Sequence, residues 1–145
     1  MEYVTMRAHH VPQVAQLEKE CFQDPWSEKS IASELTNSLS LWIVALDGQQ
    51  VVGYVGSQTV MGEADMMNIA VSSRYRRRGI AQELVERLVA ALREKDVHSL
   101  ALEVRASNEP AKALYSKLEF LQVGRRPNYY RNPKEDALIL RKEWD

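Results

Sequence analysis

Four arginines fall within five positions, Arg74-Tyr75-Arg76-Arg77-Arg78, and run directly into Gly79-Ile80-Ala81-Gln82. The run lies between a β-rich segment ending at Val71 and an apolar helical pattern starting near Gly79. Where a strand gives way to a helix, several unpaired backbone N–H groups converge at the positive end of the helix dipole and can hold a phosphate. Glycine at position 79 lets the backbone approach an anion closely, because no side chain intervenes. Cations at a helix N-terminus are unfavourable by about 0.3–1 kcal/mol, so a cluster of them there calls for an anion in their midst. The alternative is a solvated basic patch. The spacing matches neither the P-loop pattern G-x-x-x-x-G-K-S/T nor the dinucleotide pattern G-x-G-x-x-G, which leaves a P-loop nucleotidase and a dinucleotide fold without support.

Other reactive residue types are sparse. Cys21 is the only cysteine, which excludes an intrachain disulfide and a cysteine-rich zinc site. It sits on the apolar stripe of the first amphipathic segment with no histidine beside it, and reads as a small buried hydrophobe rather than a nucleophile. His9, His10 and His98 show no ligand spacing and read as surface or strand-edge residues.

The elements that must position the arginine turn follow from periodicity. Glu2 to Arg7 alternates as a strand, and Pro12 opens a helix with Val14, Leu17 and Cys21 on one stripe. Ser27 can cap a second short helix carrying Ile31 and Leu35. Leu41 to Leu46 and Val51 to Val60 are strands about the turn Asp47-Gly48, and Ala64 to Val71 is a third strand after Met61-Gly62. Ile80, Leu84, Leu88 and Leu92 define a long helix, followed by a strand from His98 to Arg105. Strand, helix, strand implies one parallel pair. Asn108-Glu109-Pro110 starts a last helix, and Phe120 to Val123 and Ala137 to Leu140 are two closing strands. The expected architecture is α/β in the mixed, α+β sense: one sheet, antiparallel at first, with one parallel crossover and flanking helices.

A chain of 145 residues fits one domain, 1–145, with a core that needs no staple. The net charge of -1, from 19 basic and 20 acidic residues, sets up no global field to gather nucleic acid or an anionic membrane. No leader-like start and no membrane-length apolar run is legible, so the chain reads as cytosolic.

Arg76-Arg77-Arg78-Gly79-Ile80-Ala81 resembles the Q/R-x-x-G-x-G/A signature of the GNAT superfamily of N-acetyltransferases. Asn68-Ile69-Ala70-Val71, Leu102-Glu103-Val104-Arg105-Ala106-Ser107-Asn108, Ala113-Leu114-Tyr115 and Arg126-Pro127-Asn128-Tyr129-Tyr130 extend the similarity, most strongly from Asp65 to Leu140, to the bacterial ribosomal-protein-alanine N-acetyltransferases within it. The resemblance implies a mostly antiparallel sheet whose parallel pair splays apart. Acetyl-coenzyme A would lie between the strand of Asn68 to Val71 and the strand of Leu100 to Val104, and no metal is implied. The pantetheine arm would pair with the backbone of Ile69, Ala70 and Val71. The turn Arg76, Arg77, Arg78, Gly79, Ile80, Ala81, Gln82 would cradle the pyrophosphate, and Asn108 would bond to the arm.

The family's pattern also makes Glu103 the base, directly or through water, and Tyr115 the acid that protonates the departing thiolate. Glu103 lies on the strand face opposite Leu100, Leu102 and Val104. In a sheet covered on both sides it would be partly desolvated and so a better base, whereas the plainer role is an ion pair with Arg105 or another cation. Tyr115 shares a stripe with Ala111, Leu114 and Leu118, where core packing is the plainer role.

An α-amine titrates near 8 and a lysine near 10.4, so a neutral lysine costs about 3.5 kcal/mol more at neutral pH. A protein N-terminus is therefore the easier acceptor. The resemblance narrows it to an N-terminal alanine of a small-subunit ribosomal protein, chiefly through Arg126-Pro127-Asn128-Tyr129-Tyr130 in a loop between the last two strands. Tyr129 and Tyr130 can wall a slot for the peptide, whereas the plainer role is a packed hairpin tip; Pro25-Trp26 is a candidate further wall that the sequence does not place. Lysine or small-amine acetylation by the same fold, and a non-catalytic RNA- or ribosome-binding module, are the alternatives. Glu119 stands where members commonly carry glycine, so the exit from the last helix should differ locally.

Overall fold

The computed structural model describes residues 1–144. Among these residues seven strands form one sheet: β1 (Glu2–Thr5), β2 (Ser40–Asp47), β3 (Gln50–Val60), β4 (Glu63–Val71), β5 (Ser99–Arg105), β6 (Leu121–Tyr130) and β7 (Glu135–Glu143). Four α-helices accompany them: α1 (Val11–Cys21), α2 (Glu28–Glu34), α3 (Ile80–Glu94) and α4 (Glu109–Lys117). The strand order is β1-β2-β3-β4-β5-β7-β6, and every neighbouring pair is antiparallel except β4 with β5.

Local chemistry sets most boundaries. Pro12 occupies the first turn of α1, where its missing N–H leaves no hydrogen bond unmade. Ser27 Oγ accepts from Ser30 N at 3.0 Å and caps α2, and Asn108 Oδ1 accepts from Ala111 N at 3.2 Å and caps α4. The turn between β2 and β3 uses Gly48 at φ +62°, a left-handed conformation that glycine adopts without strain.

Each face of the sheet has its own core. On one, the α3 stripe Ile80, Leu84, Val85, Leu88 and Leu92 packs with Val52, Val55, Leu100, Leu102 and Leu138. On the other, Val14 and Leu17 of α1 and Ile31 of α2 pack with Trp42, Val44, Tyr54 and Ala70. The Trp42 indole lies over Gly56 where any Cβ would collide with it, so this second core is closed by a glycine. Helix α1 packs on β3 and β4 and α2 on β2, which leaves this face of β5, β7 and β6 without a helix over it.

Three expectations change. The closing strands run well past Phe120–Val123 and Ala137–Leu140: Arg125 pairs with Leu138, Arg126 with Ala137 and Tyr130 with Glu135. Arg126 to Tyr130 therefore belongs to β6 rather than to a loop. The register shifts within that stretch, where Pro127 needs no ladder partner and Asn128 takes φ +53°. His10 is buried rather than superficial; its Nδ1 accepts from Arg7 N at 2.9 Å, and burial lowers its pKa. Glu119 keeps the left-handed conformation of a helix-ending glycine, with φ +71°, so the substituted residue has not changed the local path.

Among the described residues no helix is long and apolar enough to cross a membrane, and no cluster of three or more His, Cys, Asp or Glu is placed to hold a metal.

Candidate active site

The parallel pair is short. Only Glu63–Ser99, Ala64–Leu100 and Asp65–Ala101 are in register between β4 and β5. Immediately beyond, Met66 opposes Ser57 and Asn68 opposes Gly56, so Met67 is an extra residue in β4. A bulge of this kind bends its strand, and the pairing of β4 with β5 ends where it begins. From that point β4 stays paired with β3 through Val71, and β5 stays paired with β7 through Arg105. The two inner edges face each other across a wedge.

Ser72 N donates to Val52 O at 2.8 Å, which fixes the alternation of the ladder. The backbone groups of Ala70 consequently turn toward β3, and those of Ile69 and Val71 turn into the wedge. Of the three residues expected to pair with an extended arm, Ala70 offers it no backbone polar group.

A cavity of about 290 Å³ opens at the wide end, between the arginine turn and α4, with Val71, Gly79, Ile80, Gln82, Pro110 and Leu114 in its walls. Glu83 N is the first α3 amide to find a helical partner, Gly79 O at 3.0 Å. The amides of Ile80, Ala81 and Gln82 precede it and have no partner within the helix. Gly79 takes φ +77°, and a Cβ built there would project into open space.

The arginines divide their tasks. Arg76 Nε donates to Val71 O at 3.3 Å and its guanidinium reaches Cys21 Sγ at 3.8 Å, so this side chain closes the end of β4. Arg78 stacks on Tyr75, 4.9 Å from the ring centroid, while the Tyr75 hydroxyl donates to Asp47 at 2.7 Å. Arg77 is exposed with φ +64°. Unpaired edges, free helix amides and a cavity without blocking side chains fit a carrier with a diphosphate and an extended amide-bearing arm. A larger cavity, about 370 Å³, lies further along α3 among Val85, Val89, Leu118 and Phe120, with Glu86, Arg93 and Lys142 also in its walls; neither Glu103 nor Tyr115 lines it.

Tyr115 stands at the narrow end of the wedge. It is 5% exposed, packs edge-on against Phe120 at 5.4 Å, and its hydroxyl lies 3.8 Å from Met66 Sδ, directly before the bulge. Burial pushes its pKa up to about 12.

Glu103 is on the opposite face of the sheet, and its surroundings differ from the expectation. Because no helix covers β5 there, its side chain is 33% exposed rather than desolvated, and Oε2 lies 3.6 Å from Arg126 Nε. The cation beside it is Arg126, not Arg105. Arg105 instead bonds Glu135 at 3.3 Å and the carbonyls of Arg131 and Pro133 at 2.9 and 3.0 Å.

Tyr129 and Tyr130 meet edge-on at 5.2 Å, with Arg126 over the first ring and Arg105 over the second. The Tyr130 phenol is raised chiefly by burial and then by the negative charge of Glu103, which places that carboxylate within its electrostatic reach. Two carboxylates pin this hairpin. Glu135 accepts from Ser107 N at 2.7 Å, and hydrogen bonding from Ser107, its hydroxyl foremost, holds its pKa below the usual range; Asp136 accepts from Asn128 N at 2.8 Å, and that bond foremost lowers its pKa likewise. Asn108 commits its side-chain oxygen to the α4 cap, so any bond to a carrier falls to its NH₂ group.

A buried polar network accompanies the site and was not foreseen. Glu18 has no solvent exposure and accepts from the Tyr54 hydroxyl, from Asn68 Nδ2 and from Trp26 N, the last at 3.0 Å. The available signal was its place four residues after Val14 on the inward side of α1, where an acid is out of pattern. The bond also places the Pro25-Trp26 loop, whose indole packs edge-on against Trp42 at 5.5 Å, on the sheet face that carries Glu103.

Comparison with known proteins gives this geometry a context. The model of the acetyltransferase (GNAT) family matches residues 11–120. The ribosomal protein bS18-alanine N-acetyltransferase of Escherichia coli strain K12 is 36% identical over 132 residues, covering 90% of this chain and 88% of its own. The protein of the same name from Salmonella typhimurium is 38% identical over 133 residues, with the same coverage. A crystal structure of the Escherichia coli ribosomal-protein-S18-alanine N-acetyltransferase superposes with a TM-score of 0.90 at 33% identity, over 98% of this chain and 92% of that one. Ard1 from Thermoplasma volcanium, at 22% identity and a TM-score of 0.87, shares the fold. A family match over most of the length, joined to relatives above 30% identity across nine-tenths of it, shows that the chain belongs to the GNAT acetyltransferase family and is an N-acetyltransferase.

Proposed function

We propose that this enzyme transfers the acetyl group of acetyl-coenzyme A to the α-amine of an N-terminal alanine, on the protein equivalent to the bS18 named for its relatives. The observation that carries the reading is the wedge itself, where a phenol from one face of the sheet and a carboxylate from the other can address the same thioester.

The carrier, when bound, supplies an activated acetyl group. Ile69 and Val71 offer backbone groups to its arm, and the amides of Ile80, Ala81 and Gln82, aided by Arg77 and Arg78, hold its diphosphate. Asn108 adds its NH₂ group to the arm. Arg76 supports the site indirectly by closing the end of β4. The neutral acceptor nitrogen attacks the carbonyl carbon and the carbon–sulfur bond breaks. Glu103 takes the proton lost by nitrogen, directly or through water, and the Tyr115 hydroxyl gives its proton to sulfur. The loose 3.6 Å pair with Arg126 is readily exchanged for an incoming ammonium or water. Tyr129 and Tyr130 form one wall for the peptide, and the Pro25-Trp26 loop forms the other. A ribosomal acceptor places the reaction in the cytosol.

The test is a peptide panel with purified enzyme. Acetylation of a free alanine terminus should exceed that of serine and methionine termini, and an N-blocked peptide containing lysine should not react. Equal turnover of the blocked lysine peptide would replace this reading with lysine acetylation. Glu103→Gln should lower kcat by about 10²–10⁴-fold with coenzyme affinity nearly unchanged, as expected for a lost general base.

A further inference from the structure

Glu18 is a fully buried carboxylate, and the groups that donate to it are all neutral: Tyr54, Asn68 and the Trp26 backbone. A carboxylate in such a place is expensive, and apolar side chains of similar volume usually fill a core as well or better. Stability alone therefore gives no reason for it. The location of the donors does.

Tyr54 belongs to β3, Asn68 to β4, and Trp26 to the segment between α1 and α2. Asn68 directly follows the bulge, and its Oδ1 accepts from Ile69 N at 3.1 Å, one of the two residues whose backbone faces the wedge. Trp26 ends the loop on the face that carries Glu103. One buried carboxylate thus touches the strand edge that receives the carrier and the loop that flanks the acceptor.

The two ends are linked through a single side-chain amide. An arm that pairs with Ile69 N must displace Asn68 Oδ1, and the same amide is held by its NH₂ on Glu18, which also holds Trp26 N. We infer that Glu18 is a positioning residue that locks the Phe22–Trp26 loop to the carrier-binding edge of β4, so that the state of that edge sets the acceptor wall. This rests on the N-terminal acetyl-transfer reading above and adds to it a residue that touches neither substrate.

Glutamine at position 18 has one acceptor oxygen, and its NH₂ would face other donors, so Glu18→Gln must release at least one partner. With acetyl-coenzyme A and an alanine-terminated peptide, measured well below the melting temperature, Glu18→Gln should raise the acceptor KM about tenfold. The coenzyme KM and kcat should each stay within threefold. Calorimetry with free coenzyme A should show that the peptide affinity of the wild type depends on coenzyme occupancy and that of Glu18→Gln does not. A fall in kcat with both KM values unchanged would mean fewer folded molecules and would overturn the inference, as would wild-type kinetics. If Glu18→Gln does not fold, Tyr54→Phe removes one donor and keeps the ring; its acceptor KM should rise about threefold, and an unchanged value overturns the proposal. Wild-type enzyme inactive on every N-terminal peptide would sink the function itself, whereas active wild type with an insensitive Glu18→Gln sinks only the positioning role.

Discussion

As the proposed acid, Tyr115 has to keep its proton until sulfur takes it, and its burial favours that. With the pKa raised to about 12, the phenol stays protonated across pH 7–10, so its ionisation contributes no alkaline loss in that range. The acid limb belongs to the acceptor, whose α-amine titrates near 8. We expect kcat/KM for the peptide to rise about tenfold per pH unit below pH 7.5 and to stay flat from about 8.5 to 10. A decline beginning at pH 9 in a stopped-time assay would count against Tyr115 as the acid. Tyr115→Phe should lower kcat by about 10²–10⁴-fold while coenzyme affinity, read by calorimetry, moves less than threefold. Residue types at 103 and 115 were legible in the sequence, and so was the arginine turn. The surroundings of Glu103 were not, because whether a helix covers a given stretch of strand depends on where α1 and α2 come to rest. That information is not local to Leu102-Glu103-Val104.

At the scale of elements, the end of α4 shows a resemblance and a geometry pointing to the same residue. Phe120 N bonds Tyr115 O at 2.9 Å and Glu119 N bonds Ser116 O at 3.0 Å, the closing bonds of a helix that ends through a left-handed residue. Glu119 adopts that conformation at a cost glycine would avoid, so Glu119→Gly should stabilise the fold by about 1 kcal/mol. Calorimetric melting should move up by about 3 °C for a chain of this size. Gly79→Ala should act in the opposite sense. It forces φ +77° on a residue with a Cβ, and it sets a methyl at the turn whose amides are proposed to hold the diphosphate. Stability should fall by about 1 kcal/mol and coenzyme affinity by about tenfold, and an unchanged affinity would remove the turn from the site. Helices and their caps were readable because Pro12, Ser27 and Asn108 act within one turn of themselves. The length of β6 was hidden by the same logic. Arginines, a proline and an asparagine do not look like a strand, and only the partner β7 makes them one.

On the scale of the molecule, we propose that residues 1–145 form one domain, since both faces of one sheet carry a core. Thermal unfolding should then be a single transition with equal calorimetric and van't Hoff enthalpies. Coenzyme A at a hundred times its dissociation constant should add about 2.7 kcal/mol and shift melting by about 8 °C without splitting the transition. Two separable transitions would show that the β1–β4 and β5–β7 halves are independent. The order of β2, β3 and β4 followed from short hairpins, but the placing of β1 beside β2 and of β7 between β5 and β6 did not, because each depends on a pairing across more than thirty residues.

The additional residue at Met67 has a consequence for what this protein could become. Delete it, and β4 would recover a regular register; its amides could then find those of the neighbouring strand along their whole length. Such a chain would be better hydrogen-bonded and more rugged, and it would be inert. In the proposed mechanism catalysis depends on a sheet left open beside one extra amino acid, so selection for heat resistance and selection for turnover would pull in opposite directions at that single position.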